Sequence, residues 1–290
     1  MVFLPVLVRF DPWRSRLCTC PPKLTFNPYT GCDHYCIYCY ASSYIPNFFK
    51  CRPKAGLISK LKREVSRING EVISISNSSD PYPTIEGHER LTRRCLDVLS
   101  RVNCRLQIIT KSNLVTRDID ILKRVPSMVS LTITTDDDGL AQVLEPNAPP
   151  PSERLKAAER LIAAEVPVAV RIDPIIPYVN DDPATLIKKL ASIGVRQITC
   201  STYKVKMDNW QRFSLTLPEV AEKLKPLYFE RGERISRYLY LPRELRLKIL
   251  EKVAKQAKKH RIAFSVCREG FSHLNTAVCD GSWMLKACIN

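Results

Sequence analysis

Val168-Ala169-Val170-Arg171-Ile172-Asp173 places small or charged residues between branched apolar ones, and that alternation decides the fold. A period of two is the signature of a strand with unlike faces. The same pattern recurs in Ile73-Ser74-Ile75-Ser76, Ser130-Leu131-Thr132-Ile133-Thr134 and Ile198-Thr199-Cys200-Ser201, and Gln107 shares a face with Lys111. Strands are expected at 24–29, 71–77, 105–111, 129–135, 168–173, 197–202 and 261–267. Helices are expected between them, at 53–68, 86–99, 116–124, 152–165, 183–193 and 242–260. Alternating strands and helices imply parallel strands joined by right-handed crossovers. Parallel strands covered on both faces normally read as continuous apolar runs. Alternation therefore requires a face that is polar yet enclosed. An α/β barrel with helices outside and a polar lumen meets this requirement, with its site at the carboxyl ends of the strands.

The chain has 290 residues, 45% hydrophobic and 26% charged, enough for a full globular core. The apolar stretch 2–8 is short, contains Pro5 and has no basic segment before it, so neither a signal peptide nor a spanning helix is expected. Cytoplasm is the compartment this implies, and no membrane partner is expected. The formal charge of +16 attracts polyanions, which makes a nucleic acid one class of partner. Solvated lysines on outer helix faces explain the same number, and Lys248, Lys252, Lys255 and Lys259 lie opposite an apolar stripe in the 242–260 helix. Twelve cysteines without an export signal point to metal or buried thiols ahead of disulfides.

The first strand runs into Asn27-Pro28-Tyr29-Thr30-Gly31-Cys32-Asp33-His34-Tyr35-Cys36-Ile37-Tyr38-Cys39-Tyr40. Cys32, Cys36 and Cys39 stand in C-x3-C-x2-C spacing with no fourth cysteine close behind. A structural zinc wants four ligands, and a closed iron–sulfur site four thiolates. Three thiolates suit a [4Fe–4S] cubane with one iron left open. A zinc site completed by Cys18, Cys20 or Cys51 is the alternative.

This loop, with its wider wording N-P-Y-x-G-C-x-x-x-C-x-Y-C-Y-A, resembles the radical S-adenosylmethionine (radical SAM) superfamily, in the branch that contains spore photoproduct lyase. The stretches Leu91–Cys95, Arg117–Asp120, Leu144–Pro146 and Asp173–Pro177 extend the resemblance over residues 24–205. It implies a partial six-stranded (β/α) barrel, with an N-terminal arm at 1–23 and a C-terminal helix and strand extension at 206–290. It implies that the open iron chelates S-adenosylmethionine, that an external one-electron reductant of the ferredoxin or flavodoxin type feeds the cluster, and that a 5′-deoxyadenosyl radical abstracts hydrogen from substrate. A nucleic acid, repaired or modified, is the first substrate class considered, and a peptide or small molecule stays open. Tyr38 is expected by the adenine. Asn77, Ser78 and Asp80 are expected at the methionine amine, and Lys111 at the methionine carboxylate. Thr132 and Thr134 are expected at the carboxylate or ribose. Arg171 and Asp173 either form a buried pair or touch the cofactor. His34 is read as facing solvent or substrate.

The tail carries Cys267, Cys279 and Cys288. They are open to three readings: a second iron–sulfur cluster together with Cys18 or Cys20, a hydrogen-donor thiol, or structural cysteines in a capping segment. The rival from another class is a non-catalytic nucleic-acid-binding protein with a structural zinc.

Overall fold

The computed structural model of the chain describes residues 5–10 and 15–285. Cys288 lies outside the described residues. Parallel strands cross one sheet in sequence order: β1 Leu24–Phe26, β2 Val72–Ile75, β3 Arg105–Thr110, β4 Ser127–Thr132, β5 Val168–Ile175, β6 Gln197–Thr202 and β7 Ala263–Val266. Val8–Arg9 adds an antiparallel edge strand beside β1. The two ends of the sheet do not pair, so this is an open, partial barrel, as the alternation and the resemblance imply. Residues 206–290 supply β7, which pairs with β6 along its full length.

The register separates the two faces. Gln107 pairs with Met128, Ser130 with Ala169, Thr132 with Arg171, and Arg171 in turn with Thr199. These side chains line the concave inner face. The residues between them, including Ile73, Ile75, Leu106, Val129, Val170 and Ile198, are fully buried on the convex face. They form one hydrophobic cluster with the outer helices, among them Leu57–Glu64, Leu91–Leu99, Pro151–Ala163, Ala184–Ser192 and Arg243–Lys259. Each such aliphatic side chain stabilises the fold by about 1.5–3 kcal/mol.

The inner face is polar, but it is not all open space. The segment 278–285 crosses its amino-terminal half. Gln197 Nε2 donates to the Val278 carbonyl at 2.8 Å, Thr199 Oγ1 to that of Cys279 at 2.9 Å, and Gln107 Nε2 to that of Asp280 at 2.7 Å. Met284 and Leu285 pack with Met128 and Ala169. Gly281 is required here: a Cβ would lie 2.9 Å from the Met128 methyl, and its φ is +81°. Half of the polar face thus binds the chain's own backbone. Among the described residues, the carboxyl-end half opens as a cavity whose lining reaches back to Lys23 and Asp280.

Two expected helices are broken. The 86–99 helix divides at Arg90, whose φ is +49°, into Glu86–Glu89 and Leu91–Leu99. The cause is the buried Glu86 carboxylate. It accepts from the Thr92 and Arg93 amides at 2.9 and 3.2 Å, and so caps the second helix. It also accepts from Tyr29 Oη and Arg117 Nη2, each at 2.5 Å. The 116–124 helix is replaced by a 3-10 turn, Asn113–Asp118, and a short helix, Ile119–Leu122. Buried Asp118 holds that turn through Arg93 at 2.8 Å and Arg117 at 2.9 Å.

Replacing Glu86 by alanine strands a phenol and two amides at once and removes one of the two carboxylates that hold Arg117. Glu86→Ala should lower the urea unfolding free energy by about 3–5 kcal/mol, and an unchanged midpoint would contradict the capping role.

Candidate active site

The loop after β1 is fastened on every side. Cys32 N–H donates to the Phe48 carbonyl at 2.8 Å and Ile37 N–H to that of Leu144 at 3.0 Å. Asn209 Nδ2 donates to the Tyr38 carbonyl at 3.0 Å and Arg212 Nη2 to that of Cys39 at 2.8 Å. Gly31 has φ +81°, and a Cβ there would lie 2.2 Å from the Phe48 oxygen, so no other residue fits. The fastening turns Cys32, Cys36 and Cys39 into a cavity of about 480 Å³ at the carboxyl end of the sheet. That volume is in the usual range for a small-ligand site, about 300–1,000 Å³.

Burial pushes all three thiols up: Cys32 well above the usual thiol range, aided by the Asp80 carboxylate, Cys36 to about 12, and Cys39 in the same direction. A metal's positive charge is what would deprotonate them. None is in a disulfide. A tetrahedral zinc with Zn–S bonds of about 2.3 Å needs its sulfurs about 3.8 Å apart. Among the described residues the group of three ligand atoms gathered within 4.8 Å of one another is Cys32, Asp33 and His34, not the three thiols. A cubane takes each thiolate on a different iron, so a wider spread of unbridged thiols on one cavity wall fits that group better than a single ion.

The other expected residues divide into two sets. Asn77, Ser78, Asp80, Lys111, Thr132, Arg171 and Asp173 line the same cavity, as do Tyr38 and His34. Asp80 is fully occupied: it accepts from Thr110 Oγ1 at 2.6 Å, from the Lys111 amide at 2.7 Å and from the Tyr82 amide at 2.9 Å. It also sits 3.7 Å from His34 Nδ1. His34 is buried against it and does not face solvent. Asn77 Nδ2 donates to Thr25 Oγ1 at 2.6 Å, which ties β1 to the end of β2. The Lys111 ammonium lies 5.6 Å from the Tyr38 ring centre and has no ion-pair partner among the described residues. Burial draws its pKa down, but the Cys36 thiol and the Glu145 carboxylate outweigh that and hold it above the ordinary lysine value. Thr134 stands apart. It does not line the cavity and donates to Glu145 Oε1 at 3.0 Å.

Glu145, which the resemblance covers without giving it a role, and Arg154, which the sequence does not single out, anchor the loop. Arg154 Nη1 pairs with Glu145 at 2.5 Å with both side chains fully buried, and the Tyr38 hydroxyl donates to the same carboxylate. The available signal was an arginine inside an apolar stripe, since Arg154 stands in line with Ala157, Ala158 and Leu161. Arg171 and Asp173 do form a pair, at 2.5 Å, and Ser201 donates to the other Asp173 oxygen. Burial alone would raise the Asp173 carboxyl, but Arg171 and Lys204 hold it down at about 2.

The chain belongs to the radical SAM superfamily, whose family model matches residues 26–191. It is an enzyme of the radical SAM class. An uncharacterised protein of Mycobacterium tuberculosis is 26% identical over 266 residues, 84% of this chain and 76% of the relative. One of Methanocaldococcus jannaschii is 33% identical over 172 residues, 55% of this chain and 62% of that one. Among solved structures, a variant of spore photoproduct lyase superposes with a TM-score of 0.67 at 15% identity, covering 92% of this chain and 79% of the lyase. SuiB of Streptococcus suis gives 0.55 at 13% identity over 84% of this chain and 51% of SuiB. At these identities the likeness is one of fold. No helix of the described residues is long and apolar enough to cross a membrane.

The depressed Asp173 carboxyl makes a pH prediction. Its stabilisation is present above the free value of 3.8 and is lost as the pH falls towards about 2. The gap in urea unfolding free energy between the metal-free chain and Asp173→Asn should narrow by about 2 kcal/mol between pH 5 and pH 2. A gap independent of pH would remove the ion pair from the account.

Proposed function

We propose that Cys32, Cys36 and Cys39 hold a [4Fe–4S] cluster, that S-adenosylmethionine occupies the cavity beside it, and that a nucleic acid is the substrate. The observation that carries this reading is the convergence of three unbridged thiols and an unpaired ammonium, Lys111, on one cavity. When bound, the cluster supplies the electron that cleaves the C5′–S bond of S-adenosylmethionine, and the 5′-deoxyadenosyl radical so formed takes hydrogen from substrate.

The chain's own residues position and shield. Lys111 pairs with the methionine carboxylate, its ammonium having no ion-pair partner among the described residues. Ser78 and the carbonyls of the loop after β2 receive the methionine amine, while Asn77 and Asp80 hold that loop through Thr25 and Thr110. The Tyr38 ring, fixed by its hydroxyl on Glu145, offers a face to the adenine. Thr132 hydrogen-bonds from the β4 wall, and Thr134 acts through Glu145. The Arg171–Asp173 pair closes the β5 wall. An external one-electron carrier reduces the cluster. Two facts favour a nucleic acid: the charge of +16 on this chain, and a spore photoproduct lyase structure that carries AdoMet and a dinucleoside spore photoproduct.

A second cluster is a separate reading with its own observation. The Cys20 and Cys279 sulfurs lie 3.4 Å apart, and Cys18, Cys20 and Cys267 line the cavity. Cys18, Cys20, Cys267 and Cys279 are the thiols that would hold it.

Anaerobic reconstitution should load about four irons per chain if one cubane forms and about eight if the second thiol set binds another. Changing Cys32, Cys36 or Cys39 to alanine should abolish the cluster absorption and the release of 5′-deoxyadenosine. Tightly held zinc without iron would favour the non-catalytic binding protein. Lys111→Ala, on iron-loaded protein, should weaken S-adenosylmethionine binding by about 10- to 150-fold, as loss of a charged hydrogen bond does; equal affinity by equilibrium dialysis removes Lys111 from the carboxylate.

A further inference from the structure

Arg268 is a buried cation without an anion among the described residues. Its side chain lines the cavity and the residue is 8% exposed. Its guanidinium carbon lies 5.4 Å from the Tyr40 ring centre and 5.1 Å from that of Tyr238, and those rings meet edge to face. Nη2 is buried and has no hydrogen-bond partner among the described residues. The neighbouring acids are already committed: Asp173 to Arg171 at 2.5 Å, Glu269 to Lys204 at 2.8 Å and to Arg246 at 3.2 Å, and Asp280 to Lys23 at 2.5 Å. The residue is held at φ +56°, in the left-handed region that arginine rarely occupies. An arginine does not escape burial by losing its proton. Both the strain and the desolvated charge oppose folding, so the observations point to a ligand that repays them.

We infer that Arg268 receives a backbone phosphate of the substrate strand. This rests on the nucleic-acid reading and adds to it the residue that engages the strand. A guanidinium flanked by two rings keeps its N–H edge free, and that edge matches two phosphate oxygens at once. Lys206, 4.8 Å from the Tyr238 ring, continues the positive track beyond it. Tyr40 and Tyr44 line the same cavity and offer aromatic surface for a base. A phosphate inside a cavity of this kind belongs to a single-stranded or extruded nucleotide, not to a stacked duplex. Arg268 and Lys111 then divide the anions, the first holding substrate and the second S-adenosylmethionine.

The test is fluorescence anisotropy of the full chain with a fluorescein-labelled single-stranded 20-nucleotide DNA, from 50 to 300 mM salt. Arg268→Gln should bind about tenfold more weakly, and its log–log salt slope should be shallower by about 0.7, the loss of one phosphate contact on a single strand. Arg268→Lys should restore the slope without the full affinity. Circular dichroism should show Arg268→Gln folded like the wild type, so that weaker DNA binding reads the contact and not the fold. On iron-loaded protein its affinity for S-adenosylmethionine should be unchanged. Equal DNA affinity and slope in Arg268→Gln and wild type would overturn the inference and leave the nucleic-acid reading standing. Weakened S-adenosylmethionine binding with unchanged DNA binding would overturn it in favour of the cofactor carboxylate. No DNA binding by the wild type at 50 mM salt would overturn both.

Discussion

Every polar side chain on the inner face of the sheet must find a partner, because the face is enclosed and an unpaired buried polar group costs about 1–3 kcal/mol. The rest of the structure follows from that requirement. At the amino-terminal half, the partners are backbone carbonyls of 278–280, met by Gln107, Gln197 and Thr199. At the carboxyl half, some polar groups pair with each other, as Arg171 does with Asp173 and Asp80 with Thr110. Among the described residues, the cations at that end without an ion-pair partner, Lys111 and Arg268, mark where negative charge is expected from outside the chain.

The cluster loop depends on a second buried network outside the cavity. Glu145 is held below the usual carboxylate range: burial alone would raise it, but Arg154 and Lys111 outweigh burial. It binds Arg154, the Tyr38 hydroxyl and Thr134 together, and so links the loop to a helix and to the end of β4. The Glu86 network does the same near the end of β2, where it links Tyr29 at the loop's start to Arg117 and to the helix cap. A network of this kind is costly when half-satisfied and rigid when complete. Rigidity suits a loop that must present three thiols at once.

The parallel strands and their two faces were legible because strand periodicity is local. The 197–202 strand was read to the residue, and the others to within a few residues. The three-thiol loop was legible because its spacing is itself the chemistry. The helix over 86–99 was misjudged because its break comes from a side chain, Glu86, that turns back to cap the next helix, and propensity does not register that. Thr134 was expected at the ligand by its place on a strand, but a buried acid from another segment had first claim on its hydroxyl.

Taken by itself, the sequence determined the α/β class, the enclosed polar face, the loop of Cys32, Cys36 and Cys39, and a set of polar strand ends, since each depends on residues adjacent in the chain. Only the tertiary structure decided which of those polar groups are already satisfied. It filled half the lumen with 278–285, gave Glu145 to Tyr38 and Arg154, and left Arg268 unpaired between Tyr40 and Tyr238. The reason is physical: a partner contributed by another element leaves no periodic trace, and desolvation is a property of the folded surroundings, not of the residue.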